Sequence, residues 1–123
     1  MCIRDRSYTG NSLSLNADDA TMVDFVFKSD GSKLFTVGQT NDKIYEYALS
    51  TPWTLSTASL TTTRDTPSNT PASLDISSDG TKALFVGGTN YHGLFEYTFG
   101  TPWDLDTLVG PSTSAYVLSL IHI

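Results

Sequence analysis

The sequence predicts an all-β fold built from a repeated unit of four short antiparallel strands, with two complete copies and part of a third. Three observations predict it. A segment of the chain recurs at an offset of 49 to 50 residues. Within each copy, short apolar runs alternate with residues that form turns. No stretch long enough for a helix carries a helical hydrophobic period.

The two copies match residue by residue. Phe25 to Gly38 aligns with Leu74 to Gly87, sharing Ser-Asp-Gly, a following Lys and a closing Val-Gly. Ile44-Tyr45-Glu46-Tyr47 aligns with Leu94-Phe95-Glu96-Tyr97, and Thr51-Pro52-Trp53 with Thr101-Pro102-Trp103. The offset rises by one between Gly88 and Gly93, which places a single insertion in the loop there.

The elements follow in order. The first strand is expected at Val23–Lys28 and the second at Lys33–Val37. Between them lies Ser29-Asp30-Gly31-Ser32, where Asp30 accepts nearby N–H groups and Gly31 supplies a positive φ. A polar loop leads to a third strand at Lys43–Leu49. Pro52 then interrupts pairing, since it has no N–H to donate, and a fourth strand follows at Ala58–Thr63. The second unit repeats this at Ser73–Ser77, Lys82–Gly87, Gly93–Phe99 and Thr107–Tyr116, with Asp79 and Gly80 in the hairpin turn. Ser12–Asn16 is expected to be the last strand of a preceding unit. Phe25-Val26-Phe27 and Ala83-Leu84-Phe85-Val86 are continuous apolar runs, which suit sheets covered on both faces.

Four-stranded sheets of about 45 to 50 residues stacked face to face are the blades of a β-propeller. The Ser-Asp-Gly-[Ser/Thr]-Lys turn, the strand ending in Val-Gly and the Ile-Tyr-Glu-Tyr strand resemble YVTN-type and lactonase-like propeller repeats. The Thr-Pro-Trp turn is similar to repeats of marine bacterial and phage surface proteins. The resemblance covers Met22 to Leu108 and implies a fold family. The Gly-His and Trp-Asp pair of WD40 repeats is missing, and Gly87-Gly88 becomes Gly38-Gln39, which departs from kelch. A two-sheet sandwich is the structural alternative. Propellers close with about four to eight blades, so each end of this chain is expected to leave a blade face bare. Every 100 Å² left bare forgoes about 2.5 kcal/mol at about 25 cal/mol per Å². The isolated chain is therefore expected to be marginal, sticky or self-associating.

The two ends read differently. Residues 1–6, Met-Cys-Ile-Arg-Asp-Arg, and residues 118–123, Leu-Ser-Leu-Ile-His-Ile, resemble one sequencing adapter translated from opposite strands. One coding choice for Met1 to Asp5, reverse-complemented and shifted by a base, reads Ser119-Leu120-Ile121-His122. Such segments are set aside from fold reasoning. The expected organisation is then 7–16 as the end of a preceding blade, 17–66 as one blade and 67–117 as the next. The full chain has 7 basic and 13 acidic residues, a net charge of −6. Without Arg4, Arg6 and Asp5 it carries 5 and 12, a net charge of −7. Such acidity argues against a nucleic-acid partner. No apolar run approaches the roughly 20 residues that span a bilayer. Cys2 lies in the adapter-like end, so cysteine says nothing about redox compartment.

Few residues invite chemistry. Asp30 and Asp79 precede Gly31 and Gly80 and are read as turn formers. Their surroundings lack the closely spaced oxygens of a calcium loop. Glu46 and Glu96 would need separations of about 5 to 9.5 Å to act as an acid/base pair. Their repetition in both units favours a structural hydrogen bond or a wet strand edge. Trp53 and Trp103, after Pro52 and Pro102, are read as packing against a neighbouring blade rather than as a sugar platform. His92 has no second His or Cys beside it for zinc, and no Gly-x-Ser-x-Gly occurs. No catalytic residue, metal or cofactor is assigned.

The loops between the second and third strands differ between copies while the turns do not. Divergent loops on a shared scaffold are where recognition can be placed. Asn41, Asp42, Lys43, Asn90, Tyr91 and His92 are thus the ligand-binding candidates. The favoured function is a non-catalytic propeller scaffold of a surface, secreted or virion protein that binds glycan or protein, with the remaining blades supplied by a longer chain. The resemblance also allows part of a lactonase-like hydrolase. A structural spacer without ligand is the third reading. The reading leans against an enzyme.

Overall fold

The computed structural model describes residues 12–66, 71–87 and 93–116. The adapter-like ends at 1–6 and 118–123 lie outside them, as do Asn90, Tyr91 and His92. Two four-stranded antiparallel sheets account for the described strands. The first is β1 (Met22–Phe27), β2 (Lys33–Gly38), β3 (Lys43–Leu49) and β4 (Ala58–Asp65). The second is β5 (Pro71–Ile76), β6 (Lys82–Gly87), β7 (Gly93–Phe99) and β8 (Leu108–Tyr116). Each is a meander in chain order, so the fold is all-β as the repeat predicts. The only helical pieces among the described residues are 3₁₀ turns at Leu55–Thr57 and Leu105–Thr107.

Local chemistry explains the hairpins. In β1–β2 the Asp30 Oδ1 accepts the Ser32 N–H at 2.9 Å and the Ser32 hydroxyl at 2.6 Å. In β5–β6 the Asp79 Oδ1 accepts the Thr81 N–H, the Thr81 hydroxyl and the Ser77 hydroxyl. Gly31 and Gly80 follow with φ of 77° and 75°, a conformation that glycine adopts without strain. Strand bounds depart from expectation mainly at the ends. β5 begins at Pro71, a first position where a missing N–H costs no ladder bond, and a bulge lies between Pro71 and Ser73. The matching irregularity falls between Met22 and Asp24. β8 starts at Leu108, because residues 105–107 close a 3₁₀ turn first. Residues 12–15 join neither sheet; Leu13 and Leu15 pack instead against the cluster of Leu34, Tyr45, Tyr47 and Leu49.

Period-two alternation sorts side chains onto two faces of each sheet. On the first sheet Phe35, Val37, Ile44 and Glu46 share one face; Leu34, Thr36, Tyr45 and Tyr47 share the other, as the pairings Phe35–Glu46 and Leu34–Tyr47 require. On the second sheet Leu74, Ile76, Ala83, Phe85, Phe95, Tyr97 and Phe99 form one buried cluster with Phe35, Val37 and Ile44. The two sheets therefore stack face to face, in closest contact along β1 and β5. Counting by the repeat, the face with Phe35 in one unit meets the face with Phe85 in the next. The contact is head to tail, and it leaves one face of each kind outside it; among the described residues Leu13 and Leu15 cover part of the outer face of the first sheet. β2 is buried on both sides, whereas β6 alternates, with Lys82 and Leu84 in solvent.

Candidate functional site

The contact between the sheets is held by a carboxylate. Glu46 sits mid-β3 and is 4% exposed. Its Oε1 accepts the Leu105 N–H at 2.9 Å, at the start of the 3₁₀ turn in the second unit. Its Oε2 accepts the Thr61 hydroxyl at 2.7 Å and lies 3.4 Å from Lys33 Nζ. Thr61 reaches it because β4 carries an extra residue there, a bulge that turns the side chain toward β3. Lys33 Nζ also donates to the Trp103 carbonyl at 2.8 Å. Around this pair, Arg64 donates to the carbonyls of Leu105, Asp106 and Leu108. Thr62 donates to Asp106, and Gln39 Nε2 to the Pro71 carbonyl. On β1, Asp24 Oδ2 accepts the Leu74 N–H at 2.9 Å and the Ser73 hydroxyl at 3.1 Å. Buried polar groups need such partners, and here they bind the sheets in one register. Glu96, at the matching place in β7, pairs with Lys82 and faces a shallow recess lined by Asp75, Ser77 and Leu84.

The Thr-Pro-Trp turns supply the other half of this contact. Trp53 and Trp103 have φ of 63° and 62°, unusual for a bulky residue. The Asp104 N–H donates to the Thr101 carbonyl, so Pro102 and Trp103 are the two central residues of a tight turn. What holds the indole there is a glycine. A Cβ on Gly31 or Gly80 would lie 2.4 or 2.3 Å from Cδ1 of Trp53 or Trp103. The backbone N–H groups of Trp53 and Trp103 donate to the Gly31 and Gly80 carbonyls. The local surroundings are equivalent, yet Trp103 is 7% exposed and Trp53 58%. Trp103 rests 6.0 Å from the Phe35 ring of the preceding sheet, whereas Trp53 stands 4.8 Å from Phe27 of its own sheet.

The loop end holds the described recognition candidates. Asp19, 2% exposed, lies under the β2–β3 loop. Its Oδ1 accepts the N–H groups of Thr21 and Thr40; its Oδ2 accepts the Asn41 N–H and the Tyr45 hydroxyl. Burial pushes this carboxyl up, but the backbone N–H groups of Thr21, Asn41 and Thr40 outweigh it and hold the pKa below the ordinary value. Gly38 is pressed against the same carboxyl, where a Cβ would lie 2.3 Å from it. Beside it the Tyr47 hydroxyl donates to Asp18 Oδ2 at 2.6 Å.

Asn41, Asp42 and Lys43 are each tied into this end. Asn41 Nδ2 donates to the Asp18 carbonyl. The Asp42 carbonyl accepts the Thr66 N–H and hydroxyl, at a residue with φ of 54°. Lys43 Nζ lies 2.6 Å from Asp65 Oδ1. The structure thus ties Asn41 to the 17–21 segment, and Asp42 and Lys43 to the end of β4. Nothing in the repeat singles out Asp19. Its only sequence signal is an Asp-Asp doublet ahead of a strand. The pairing of Glu46 with the next unit was likewise invisible, since nothing in the spacing names a backbone N–H 59 residues away.

Fold and site together define a pair of successive four-stranded antiparallel units, stacked head to tail and clasped by Lys33, Glu46 and the Trp103 turn. No family model and no curated protein matches the chain. Among the described residues no group of His, Cys, Asp or Glu could hold a metal ion, and no helix is long and apolar enough to cross a membrane.

Proposed function

We propose that the chain is part of a non-catalytic β-propeller, of the YVTN-like or lactonase-like repeat type, which serves as an interaction scaffold of a surface, secreted or virion protein. Its blades present the β2–β3 loops of successive units to a glycan or protein. The observation that carries this reading is the bracing of the loop at 39–42 by the buried Asp19 carboxylate. A loop ordered before binding loses less entropy on binding. The use of Glu46 supports the same side, because one of its oxygens holds the neighbouring sheet and the other is taken by Thr61 and Lys33 of its own sheet.

The test sets binding against turnover. The purified chain is screened on a glycan array and, in parallel, against lactone and ester substrates. The expected result is glycan binding that falls at least tenfold in a variant carrying Asp42→Ala and Tyr91→Ala, with no turnover. Turnover of a lactone that survives those substitutions would favour the hydrolase reading.

A further inference from the structure

The two outward faces of the sheets are the two halves of the chain's own internal contact; on the first sheet Leu13 and Leu15 cover the side with Tyr45 and Tyr47 and leave Phe25 and Trp53 open. The outward face of the second sheet carries Lys82, Leu84, Val86, Leu94 and Glu96, the repeat equivalents of Lys33, Phe35, Val37, Ile44 and Glu46. The outward face of the first sheet carries Phe25, Phe27, Leu34 and the Trp53–Leu55 turn, equivalents of Leu74, Ile76, Ala83 and the Trp103–Leu105 turn. Leu84, Phe25 and Trp53 are all exposed there, at 39%, 61% and 58%. Apolar patches of this kind mark contact surfaces. The polar clasp is duplicated as well. Lys82 and Glu96 stand side by side as Lys33 and Glu46 do. The Trp53 turn has the backbone of the Trp103 turn, with each 3₁₀ helix starting at Leu55 or Leu105.

We infer that the outward face of the second sheet docks on the outward face of the first sheet of a second copy of this chain, with Lys82 and Glu96 meeting the Trp53 carbonyl and the Leu55 N–H as Lys33 and Glu46 meet Trp103 and Leu105. This goes beyond the proposed function, since it concerns sheet faces and not loops. The occupant is a second copy because the chain already displays, inside itself, a working contact of this kind. The new contact is weaker than its template. Asp24, Gln39 and Arg64 have Ser73, Gly88 and Ala115 at the corresponding places. Thr36 stands where the second unit has Phe85, and leaves a cleft of about 220 Å³ lined by Leu13, Leu15, Phe25, Phe27, Leu34 and Leu55. A head-to-tail contact of fixed rotation closes into a ring or runs on as a filament. Rings of four-stranded sheets close at about four to eight sheets, which corresponds to about two to four copies.

Light scattering and sedimentation velocity on the full chain, from micromolar to millimolar concentration, test this with two capping variants. Leu84→Asp spoils only the second-sheet face and Phe25→Asp only the first-sheet face; both positions are solvent-exposed, so neither disturbs the core. The wild-type chain is expected to associate with concentration, and each variant alone to stay monomeric. Mixed in equal amounts, the variants are expected to form a one-to-one dimer and nothing larger, since each keeps one intact and complementary face. Glu96→Gln is expected to weaken wild-type association about tenfold. A wild-type chain that stays monomeric, a single variant that associates as wild type does, a mixture that gives no dimer, or association indifferent to Glu96→Gln each overturns the inference.

Discussion

Asp19 and Trp103 hold more of this structure than their neighbours, for opposite reasons. Asp19 is a charge kept under a loop by hydrogen bonds from three backbone N–H groups and a tyrosine. Replacing it with Ala leaves the three N–H groups without that acceptor, while the Tyr45 hydroxyl keeps the Asp18 carbonyl, at an expected cost of about 2–3 kcal/mol in urea unfolding. Acid acts on the same contact. A carboxyl whose folded pKa is depressed contributes stability above its unfolded value, and that contribution is lost as pH falls through the folded value. Asp19, Asp30 and Asp79 are all lowered from 3.8, Asp79 to about 2, chiefly through the Thr81 hydroxyl and then Ser77. Stability is therefore expected to be flat above about pH 4 and to fall between about pH 4 and 2, with a smaller fall in Asp19→Asn. Trp103 is apolar bulk instead. Trp103→Ala is expected to cost about 3–5 kcal/mol, and Trp53→Ala about 1 kcal/mol or less. Equal costs in thermal unfolding would contradict the burial seen here. The sequence aligned these two tryptophans perfectly and so could not tell them apart.

At the scale of elements, the repeat made most of the strands legible. β3, β6 and β7 fall where the alternation and the Gly, Pro and Asp-Gly punctuation put them. Those signals are local: a turn needs a positive φ or a missing N–H wherever the rest of the chain goes. The 3₁₀ turns at Leu55–Thr57 and Leu105–Thr107 were missed, because three residues carry no period. They matter, since the second one presents its first N–H to Glu46. The tyrosines of β3 give this strand a response to base. Burial, and then the Asp18 carboxylate, push the Tyr47 hydroxyl well above 10; burial also raises Tyr45. A group raised on folding contributes stability below its unfolded pKa and loses it as pH rises. Stability is expected to decline above about pH 10, and Tyr47→Phe should flatten that decline in circular dichroism.

Over the whole molecule, stacked repeats share stability with their neighbours rather than holding it singly. Phe35, Val37 and Ile44 belong to the same buried cluster as ten residues of the second unit. Heat is therefore expected to unfold both sheets in one transition. Glu46→Ala removes the acceptor of Leu105 N–H and the partner of Lys33, and should lower the midpoint and broaden that transition as the sheets uncouple. A single sharp transition left unchanged by Glu46→Ala would show that the clasp does not couple them.

The amino-acid order by itself determined the four strands of each unit, their meander and the residues of their turns, since these follow from spacing and backbone chemistry within a few positions of one another. Only the tertiary structure decided which face of each sheet is inside, that Glu46 grips the following unit, and that Asp19 underpins the loop end. Those choices depend on groups tens of residues apart being brought together, and burial belongs to neighbours in space: two copies of one pattern acquire different fates when only one of them has another sheet on that side.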